Sequence, residues 1–566
     1  MPFLGWITTY SKKQLLGDIP AGLTVGIILI PQGMAYAMIA GLPPVLGLYA
    51  ALVPQVIYAF LGTSRQLAVG PVAMDSLLVA SGLSVMAIAG SENYIFLAIC
   101  LAFLIGLFQL LMGAFRLGFI VNFLSKPVIS GFTSGAAVII AFNQLKHMLG
   151  VDIERSNQIH QILHNLYFQI SEMHVVTVTM SFVGIAMIIL LKKIAPKIPS
   201  AIVVVILGIL VTSFLDLELL GVSVVGEIAQ GLPSLIAPHL SVINSIELLP
   251  VALTLSLVSY MEAISIAKTI EQKHNYYKVD PNKELIALGA SNLIGSFFQS
   301  YPTTGGLSRT AVNNEAGAKT GIASLISAIV VGFTLLFLTP LFYYLPHAAL
   351  ASIIVMSILT LIDYKYPLRL WKNRKDEFFL LMFAFVITLV VGITEGIVLG
   401  VLLSLLILIY RTTKPHMAVL GKFSGQNLYK NINRFPEVKQ REEILIVRFD
   451  AQLYFANASF FKENLMEQIK LKGDNLKLLV LSVEAINYID SSAANMLRRT
   501  CSEISNAEIQ IKVTNAIGPV RDIFEKSDIT AQIGSSNFYL TVQDAIDDFD
   551  GKMVVRQNHI TLQNDL

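Results

Sequence analysis

Two acidic residues lie inside long apolar stretches of this sequence, where an ionised side chain is costly. Asp75 stands in AVGPVAMDSLLVA (68–80), and Glu262 stands in LPVALTLSLVSYMEAISIAKTI (249–270). An ionised carboxylate at the centre of a bilayer costs roughly 2.5–3.5 kcal/mol on insertion scales. Because low dielectric disfavours the charged form, such a group readily takes up a proton or binds a cation. The sequence therefore predicts two functional acids inside a membrane.

Helix-breaking residues interrupt two further apolar stretches. LAVGPVAMD (67–75) contains Gly70-Pro71, and YPTTGGLSRTAV (301–312) contains Gly305-Gly306. A broken membrane helix frees backbone N–H groups, and the N-terminus of a half-helix carries about +0.5 of a charge. Two such ends that meet inside a membrane form an anion site without a buried cation. Either break alone is typical of a simple kink, but the pair favours an anion-binding site.

The composition indicates a polytopic membrane protein. The chain is 54% hydrophobic and 14% charged, whereas soluble domains carry about 25% charged residues. Its net charge of +2 gives no basic excess for nucleic acid. Cys100, Cys501 and the nine His form no metal or nucleophile motif, and no phosphate loop is present for an ATP-driven pump. We therefore expect neither an enzyme nor a protein with a metal or organic cofactor.

The apolar character ends near residue 412, and fourteen candidate spans precede that point. The tenth is too short to cross about 30 Å of hydrocarbon alone. In chain order the spans are 21–40, 44–61, 68–88, 93–116, 118–146, 174–192, 199–216, 246–270, 282–298, 305–313, 318–340, 347–362, 377–394 and 396–411. We number them segments 1 to 14.

The positions of the basic residues predict the orientation. Lys and Arg concentrate in the even-numbered connections, whereas the connection 217–247 after segment 7 contains neither. The positive-inside rule then places both termini in the cytoplasm, provided that the short tenth segment is counted. Fourteen segments divide into seven plus seven, which suggests inverted repeats, and the two helix breaks fall in the third segment of each half.

The rest of the chain has a soluble composition. We assign 1–20 to a cytoplasmic N-terminal segment, 21–411 to the membrane domain and 412–441 to a linker. The region 442–550 alternates strand and helix patterns, such as LKLLVLSVE (476–484) and SSAANMLRRTCSEIS (491–505), and predicts an α/β domain. The tail 551–566 is predicted to be flexible.

Three stretches resemble the sulfate permease (SulP) anion transporters. The first is GDIPAGLTVGIILIPQGMAYAMIAGLPPVLGLYAALVPQVIYAFLGTSRQLAVGP (17–71), and the second is TGGLSRTAVNNEAGAKTGIAS (304–324). The third, NYIDSSAANML (487–497), resembles a loop of the cytoplasmic STAS domain that ends these proteins. The resemblance implies a core domain (segments 1–4 and 8–11) that moves past a gate domain (segments 5–7 and 12–14), an elevator mechanism, and a homodimer.

The resemblance also implies a substrate site between the facing ends of segments 3 and 10. The matching substrate-binding residues are Gln32, Tyr36, Pro71, Val72, Leu307 and Ser308. Arg309 matches a basic residue of the family. It could attract anions, pair with an acid, or extend its side chain to the cytoplasmic boundary of the membrane.

The resemblance bears on the coupling ion as well. Glu262 matches the acid thought to carry the proton in proton-coupled plant members. The alternative is a structural acid paired with a backbone donor or with Lys268. Asp75 departs from the common pattern of the family. It could be a second protonation site, a Na⁺ ligand together with Glu262, or a partner of Arg309. The coupling ion is thus H⁺ or Na⁺.

These observations predict a proton-coupled sulfate symporter in a bacterial inner (plasma) membrane. The alternatives are a sodium-coupled bicarbonate symporter, a C4-dicarboxylate carrier, and an uncoupled anion exchanger or channel. All of them take a small anion and need a lipid bilayer. A cytoplasmic partner could bind the STAS domain. There Ser491 matches a serine that is phosphorylated in soluble relatives, but helix capping by Asp490 or Ser491 is the simpler role.

Overall fold

The structure is a computed structural model that describes residues 10–119, 125–153, 156, 158–195, 199–238, 242–274, 277–359 and 362–552. It divides into two compact units, Met1–Ser404 and Leu405–Leu566. The first unit is helical, and the second contains a mixed sheet with helices.

Every predicted membrane segment falls on a helix of the structure. The elements of the first half are α1 (Lys12–Ile39), α2 (Pro44–Leu61), β1 (Val69–Gly70), α3 (Ala73–Leu83), α4 (Glu92–Ala114), α5 (Lys126–Asn143), α6 (Leu145–Leu149), α7 (Ile159–Gln169), α8 (Val175–Ile194) and α9 (Ser200–Phe214). Those of the second half are α10 (Val242–Glu271), α11 (Pro281–Ser296), β2 (Thr304–Gly305), α12 (Leu307–Glu315), α13 (Ile322–Phe333), α14 (His347–Ile358), α15 (Lys365–Asn373), α16 (Lys375–Val390) and α17 (Ile393–Thr413).

Eight of the described helices are long and apolar enough to cross a membrane, by length and composition. Three shorter apolar helices, α3, α9 and α14, accompany them. Segment 3 was predicted over 68–88, but its helix covers only Ala73–Leu83. The Gly-Pro break therefore shortens this helix more than its hydropathy suggests, because Pro71 precedes the helix instead of lying within it.

The first helix begins earlier than predicted. Ser11 caps α1, and its side chain and that of Gln14 accept each other's backbone N–H groups. The helix therefore starts at Lys12, inside the segment 1–20 that we assigned to the N-terminal region. A capping box satisfies two backbone donors that a helix end otherwise leaves unpaired, which explains the earlier start. Residues 1–9 of that segment lie outside the described residues.

Segments 3 and 10, the two interrupted segments, meet where their strands β1 and β2 form a small antiparallel sheet. Val69 pairs with Gly305, and Gly70 pairs with Thr304. A short helix follows each strand at once, so that segments 3 and 10 share one construction of strand, break and half-helix. This is the relation that inverted repeats predict for corresponding segments.

Two buried carboxylates fix the chain on either side of the crossing. Asp18 accepts hydrogen bonds from the backbone N–H groups of Lys319 (2.6 Å) and Thr320 (3.0 Å), at the start of segment 11. Glu284 accepts from the Thr63 N–H (2.6 Å) and the Ser64 N–H (3.0 Å), just before segment 3. Both carboxylates are fully buried. Charge-assisted bonds of this kind are about twice as strong as neutral ones, so they hold both breaks in place.

The second unit contains a six-stranded sheet of order β4-β3-β5-β6-β7-β8, in which β5 to β8 are parallel. Its elements are β3 (Met417–Lys422), β4 (Tyr429–Asn431), β5 (Ile444–Phe449), α18 (Ala458–Lys472), β6 (Leu478–Ser482), α19 (Ser491–Asn506), β7 (Gln510–Thr514), α20 (Gly518–Lys526), α21 (Ile529–Ile533), β8 (Phe538–Tyr539) and α22 (Val542–Phe549).

Two predictions for this unit need correction or refinement. The segment 412–441, predicted as a linker, contributes strands β3 and β4, since β3 pairs with β5 through Met417 and Phe449. Local pattern could not reveal this pairing because it joins distant parts of the chain. In α19 the cap is Asp490, whose side chain accepts from the Ala493 N–H at 2.8 Å, while Ser491 is the exposed first residue.

Candidate functional site

The helices that follow the two breaks begin at one shared cavity. Val72 caps α3 and Gly306 caps α12, and both have extended backbone. These two residues line a cavity of about 410 Å³ in the first unit. Because a helix N-terminus presents unpaired N–H groups, two positive helix ends face this space. This is the arrangement that the paired breaks predict.

Most of the predicted site residues are brought together here. The predicted residues that line the cavity are Gln32, Tyr36, Val72, Glu262, Leu307, Ser308 and Arg309. Pro71 and Asp75 are buried close by, but they do not line it. The cavity extends to Lys192 and Ser200, beside the connection between segments 6 and 7. The charge pattern predicts that this connection is cytoplasmic.

Arg309 lies inside the protein and not at the membrane boundary. Its side chain is only 2% exposed, and a Cβ placed on Gly70 would lie 3.5 Å from its Nη2. The guanidinium thus reaches the crossing of the two strands. Among the described residues no carboxylate is within ion-pairing distance, and Nε and Nη2 have no hydrogen-bond partner. Because unsatisfied buried donors are costly, this group is suited to receive an anion.

The two acids lie within electrostatic range of each other. Asp75 is fully buried, and neither of its oxygens has a hydrogen-bond partner among the described residues. Ser259 lies next to it, but the hydroxyl donates to the Leu255 carbonyl. Glu262 is within range of both Asp75 and Arg309. A proton or a small cation on this pair would relieve the repulsion between the carboxylates.

The alternative pairing of Glu262 with Lys268 does not occur. Lys268 instead donates to Glu271 at 2.7 Å and to the Val279 carbonyl at 2.6 Å. Both partners lie near the C-terminal end of α10. The charge of Lys268 is therefore satisfied there, away from the cavity.

Sequence reasoning missed Tyr301, which lies near Asp75. Its ring is fully buried, and its hydroxyl is 3.1 Å from the Ser76 hydroxyl on α3. Tyr301 is also within electrostatic range of Asp75 and Arg309. It stands at the start of the interrupted stretch YPTTGG, where we considered only the glycines. An aromatic residue just before such a helix break is the sequence feature that could have identified Tyr301.

A buried amide network supports the break in segment 10. Asn292 donates to the Thr303 carbonyl (3.0 Å) and accepts from the Thr303 N–H (2.8 Å). Asn292 also donates to Gln109 Oε1 (3.2 Å), and Gln109 donates to the Ser256 carbonyl (3.3 Å). No local pattern distinguishes Asn292 from other polar residues of a membrane helix, so the sequence could not predict this role.

The cavity thus combines two positive helix ends, a buried guanidinium, and hydroxyl and amide donors, with two acids close by. Donors of these types bind oxyanions, and neighbouring carboxylates can exchange protons or a cation. The fold and this site define a polytopic membrane transporter in which two half-helices cross inside the membrane.

Comparison with known proteins identifies the family. The sulfate permease family matches residues 15–384, and the STAS domain matches residues 435–545. Sulfate transporter 4.1, chloroplastic, of Arabidopsis thaliana is 38% identical over 563 residues, which covers 96% of this chain and 82% of the relative. High affinity sulfate transporter 2 of Stylosanthes hamata is 34% identical over 577 residues, covering 96% and 85%. The chain belongs to the sulfate permease family.

Solved structures share the same fold. The murine Solute Carrier 26 family member A9 anion transporter, in the inward-facing state, superposes with a TM-score of 0.89 at 25% identity, covering 97% of this chain and 94% of that one. The transmembrane domain of the cyanobacterial bicarbonate transporter BicA superposes with a TM-score of 0.59 at 24% identity, covering 70% and 97%. The second likeness concerns the fold alone. The expectation of a transporter of this family, with a C-terminal STAS domain, is confirmed.

Proposed function

We propose that this protein is a secondary active transporter that carries sulfate together with protons, and that it binds the anion between the N-terminal ends of α3 and α12. The observation that carries the proposal is the shared cavity, where the caps Val72 and Gly306 meet the buried Arg309. Helix ends and a guanidinium suit an oxyanion, because both present several N–H donors to one ligand.

Sulfate is favoured over other anions by the relatives. Proteins named sulfate transporters match nearly the whole chain at 34% to 38% identity. The bicarbonate transporter is similar only in fold. The Gln32 amide, the Tyr36 and Ser308 hydroxyls and the Leu307 side chain line the same cavity and would set its shape and donor geometry.

Proton coupling is favoured by the position of Glu262. This carboxylate lines the cavity, while Asp75 lies behind it. A proton on Glu262 would remove the repulsion between the carboxylate and an arriving anion, and would leave the positive charge of Arg309 uncompensated. Sodium is the second candidate, because the pair Asp75 and Glu262 offers carboxylate oxygens without hydrogen-bond partners among the described residues.

The remaining features of the proposal follow from family membership and charge placement. We place the transporter in a cell inner (plasma) membrane as a homodimer, with both termini in the cytoplasm. The core domain would move past the gate domain and carry the anion. The STAS domain would bind a cytoplasmic partner, and exposed Ser491 would be available for phosphorylation.

Radiolabelled uptake into proteoliposomes tests the function. Sulfate and bicarbonate are compared under an inward proton gradient, an inward sodium gradient, and no gradient. We expect proton-driven sulfate uptake that E262Q abolishes, while the exposed-residue control E92Q retains it. D75N should change the pH dependence of uptake, because it removes the neighbouring charge that Glu262 senses.

The other outcomes each contradict one part of the proposal. Uptake driven only by sodium and lost in both D75N and E262Q would assign the acids to a cation site. Sulfate flux that needs no gradient, with E262Q active, would make the protein an exchanger or channel. Bicarbonate uptake without sulfate uptake would refute the assigned substrate.

A further inference from the structure

A second groove in the membrane unit shares no lining residue with the candidate site. It has a volume of about 940 Å³, and its walls are the stretches 41–44 and 84–90 together with three basic side chains. These stretches lie where segments 1 and 3 end and their connections begin, on the side that the charge pattern predicts to face the outside. The candidate site instead extends to the connection after segment 6, on the predicted cytoplasmic side.

The three basic side chains of the groove are Lys146, His147 and His347. Lys146 and His147 belong to α6, and His347 is the first residue of α14. The two imidazole rings stack, with centroids 5.3 Å apart and an interplanar angle of 29°. The stretch 41–44 and residues 84–90 contribute no charged side chain to the walls. The groove therefore has basic but no acidic lining residues.

Among the described residues, Asp152 forms an ion pair with one of these bases. Lys146 Nζ is 3.7 Å from Asp152, but the Asp152 side chain is fully exposed, so that water and salt screen the pair. His174 is the N-cap of the adjoining helix α8, and its Nδ1 is 2.7 Å from the Thr177 hydroxyl. Stacked imidazoles and a nearby ammonium repel each other whenever they are protonated. An anion held at the edges of the rings and beside the ammonium would offset that repulsion, and the N-terminus of α14 adds to the positive potential.

We infer that the groove formed by Lys146, His147 and His347 is an outer docking site for the transported oxyanion. This inference deepens the proposed function and rests on it. On a face that carries few cations, the groove would raise the local concentration of the anion before it enters the pathway. Its walls come from core segments 1 and 3 and from gate segments 5 and 12. Movement of the core past the gate would therefore open or narrow the groove.

Chemical protection tests binding without any need for transport. Diethyl pyrocarbonate modifies accessible imidazoles, and mass spectrometry reports the rates at His147 and His347 in purified full-length protein. We expect sulfate to slow both reactions in the wild type and in K146R, but not in K146Q. Chloride at equal ionic strength controls for screening. Sulfate without effect on either histidine would overturn the inference, as would protection by anionic lipid alone.

Transport kinetics measured separately from each side of the membrane then test the docking role of the groove. In right-side-out vesicles, K146Q and the double variant H147Q/H347Q should raise the KM for external sulfate about three- to tenfold, with little change in kcat. In inside-out vesicles both should match the wild type. K146R should restore the external KM, and K372Q, which removes an exposed charge from the predicted inner face, should change nothing.

The pH dependence gives a further readout. Lowering the external pH, which protonates imidazoles, should lower the external KM of the wild type but not of H147Q/H347Q. Equal KM changes at both faces would mean a general structural defect and would refute the docking role. Protection by sulfate in a protein that transports no sulfate would refute the proposed function and leave the groove as an anion site.

Discussion

The guanidinium of Arg309 lies directly against Gly306, the residue that caps its own helix. A Cβ placed on Gly306 would be 2.7 Å from Nη2 and 2.8 Å from Cζ, closer than real Cβ atoms approach. The φ angle of Gly306 is −92°, a value that any residue adopts. The glycine is therefore needed for space and not for its backbone freedom. It allows Arg309 to place its charge at the positive end of α12.

We predict that G306A weakens sulfate binding by displacing the guanidinium. The new methyl group cannot share the space with Nη2, so Arg309 must move away from the cavity. Losing charge-assisted hydrogen bonds to the anion should cost about 1.5–3 kcal/mol, which is roughly a 10- to 150-fold rise in KM. Uptake kinetics of purified, reconstituted protein measure the change.

A matched glycine provides the control. At Gly332 in α13 the nearest atom to an added Cβ is Leu52 Cδ1, at 3.6 Å, which is ordinary contact. G332A should therefore leave KM unchanged. A wild-type KM in G306A would mean that Arg309 does not need this position to bind the substrate.

A second prediction concerns the hydrogen bond between Tyr301 and Ser76. It joins the segment before β2 to α3, with 3.1 Å between the hydroxyl oxygens, in surroundings where both side chains are fully buried. Y301F and S76A should each lower the transport rate about fivefold, the equivalent of about 1 kcal/mol for one buried hydrogen bond. The double variant should be little worse than either single one, because both remove the same bond.

The double-mutant cycle in initial uptake rates gives the coupling energy directly. Y301F retains the ring and its packing, so a loss of folded protein is not expected and can be monitored by size-exclusion chromatography. Fully additive losses would show that the two hydroxyls act independently, contrary to the geometry.

A third prediction concerns the pH dependence of the STAS domain. Asp450 lies 2.5 Å from Arg448 Nε and 2.8 Å from His416 Nδ1. Burial alone would raise the pKa of Asp450, but the hydrogen bonds from Arg448 and His416 outweigh it and hold the pKa below its usual value. The ionised form is thus favoured in the folded state.

The sign of the effect follows from this lowered pKa. The stability that Asp450 contributes is present above the pKa of the unfolded chain, about 3.9, and is lost as the pH falls through the folded value. D450N should therefore lower the free energy of unfolding at pH 7 by about 1 kcal/mol or less, because the cluster is partly exposed. Below the folded pKa of Asp450 the variant and the wild type should be equally stable.

Urea unfolding of residues 414–552, followed by circular dichroism at several pH values, measures this difference. D474N, at an exposed carboxylate, is the matched control and should follow the wild type throughout. A difference between D450N and the wild type that stays constant from pH 7 to pH 3 would exclude ionisation as its cause.

Much of the architecture could be predicted because it depends on local patterns. Apolar runs of spanning length indicate membrane helices whatever they pack against, and all fourteen predicted segments contain a helix. The breaks at Gly70-Pro71 and Gly305-Gly306 predicted that two half-helix ends meet. They did not predict that Val69 and Gly305 pair and so supply partners for the backbone freed at each break. The errors occurred where a boundary depends on a cap or on distant pairing, as at Ser11 and at strand β3.

The sequence by itself determined that this is a membrane protein, the order of its segments and the presence of the two half-helices. Hydropathy and helix-breaking residues have these effects because they depend only on residues close together in sequence. Only the tertiary structure decided that Arg309 is buried over Gly306, that Tyr301 reaches Ser76 and that Asn292 holds Thr303. These relationships depend on the directions of side chains and on distances between helices far apart in sequence. No local periodicity encodes such distances, because they arise only when the helices pack.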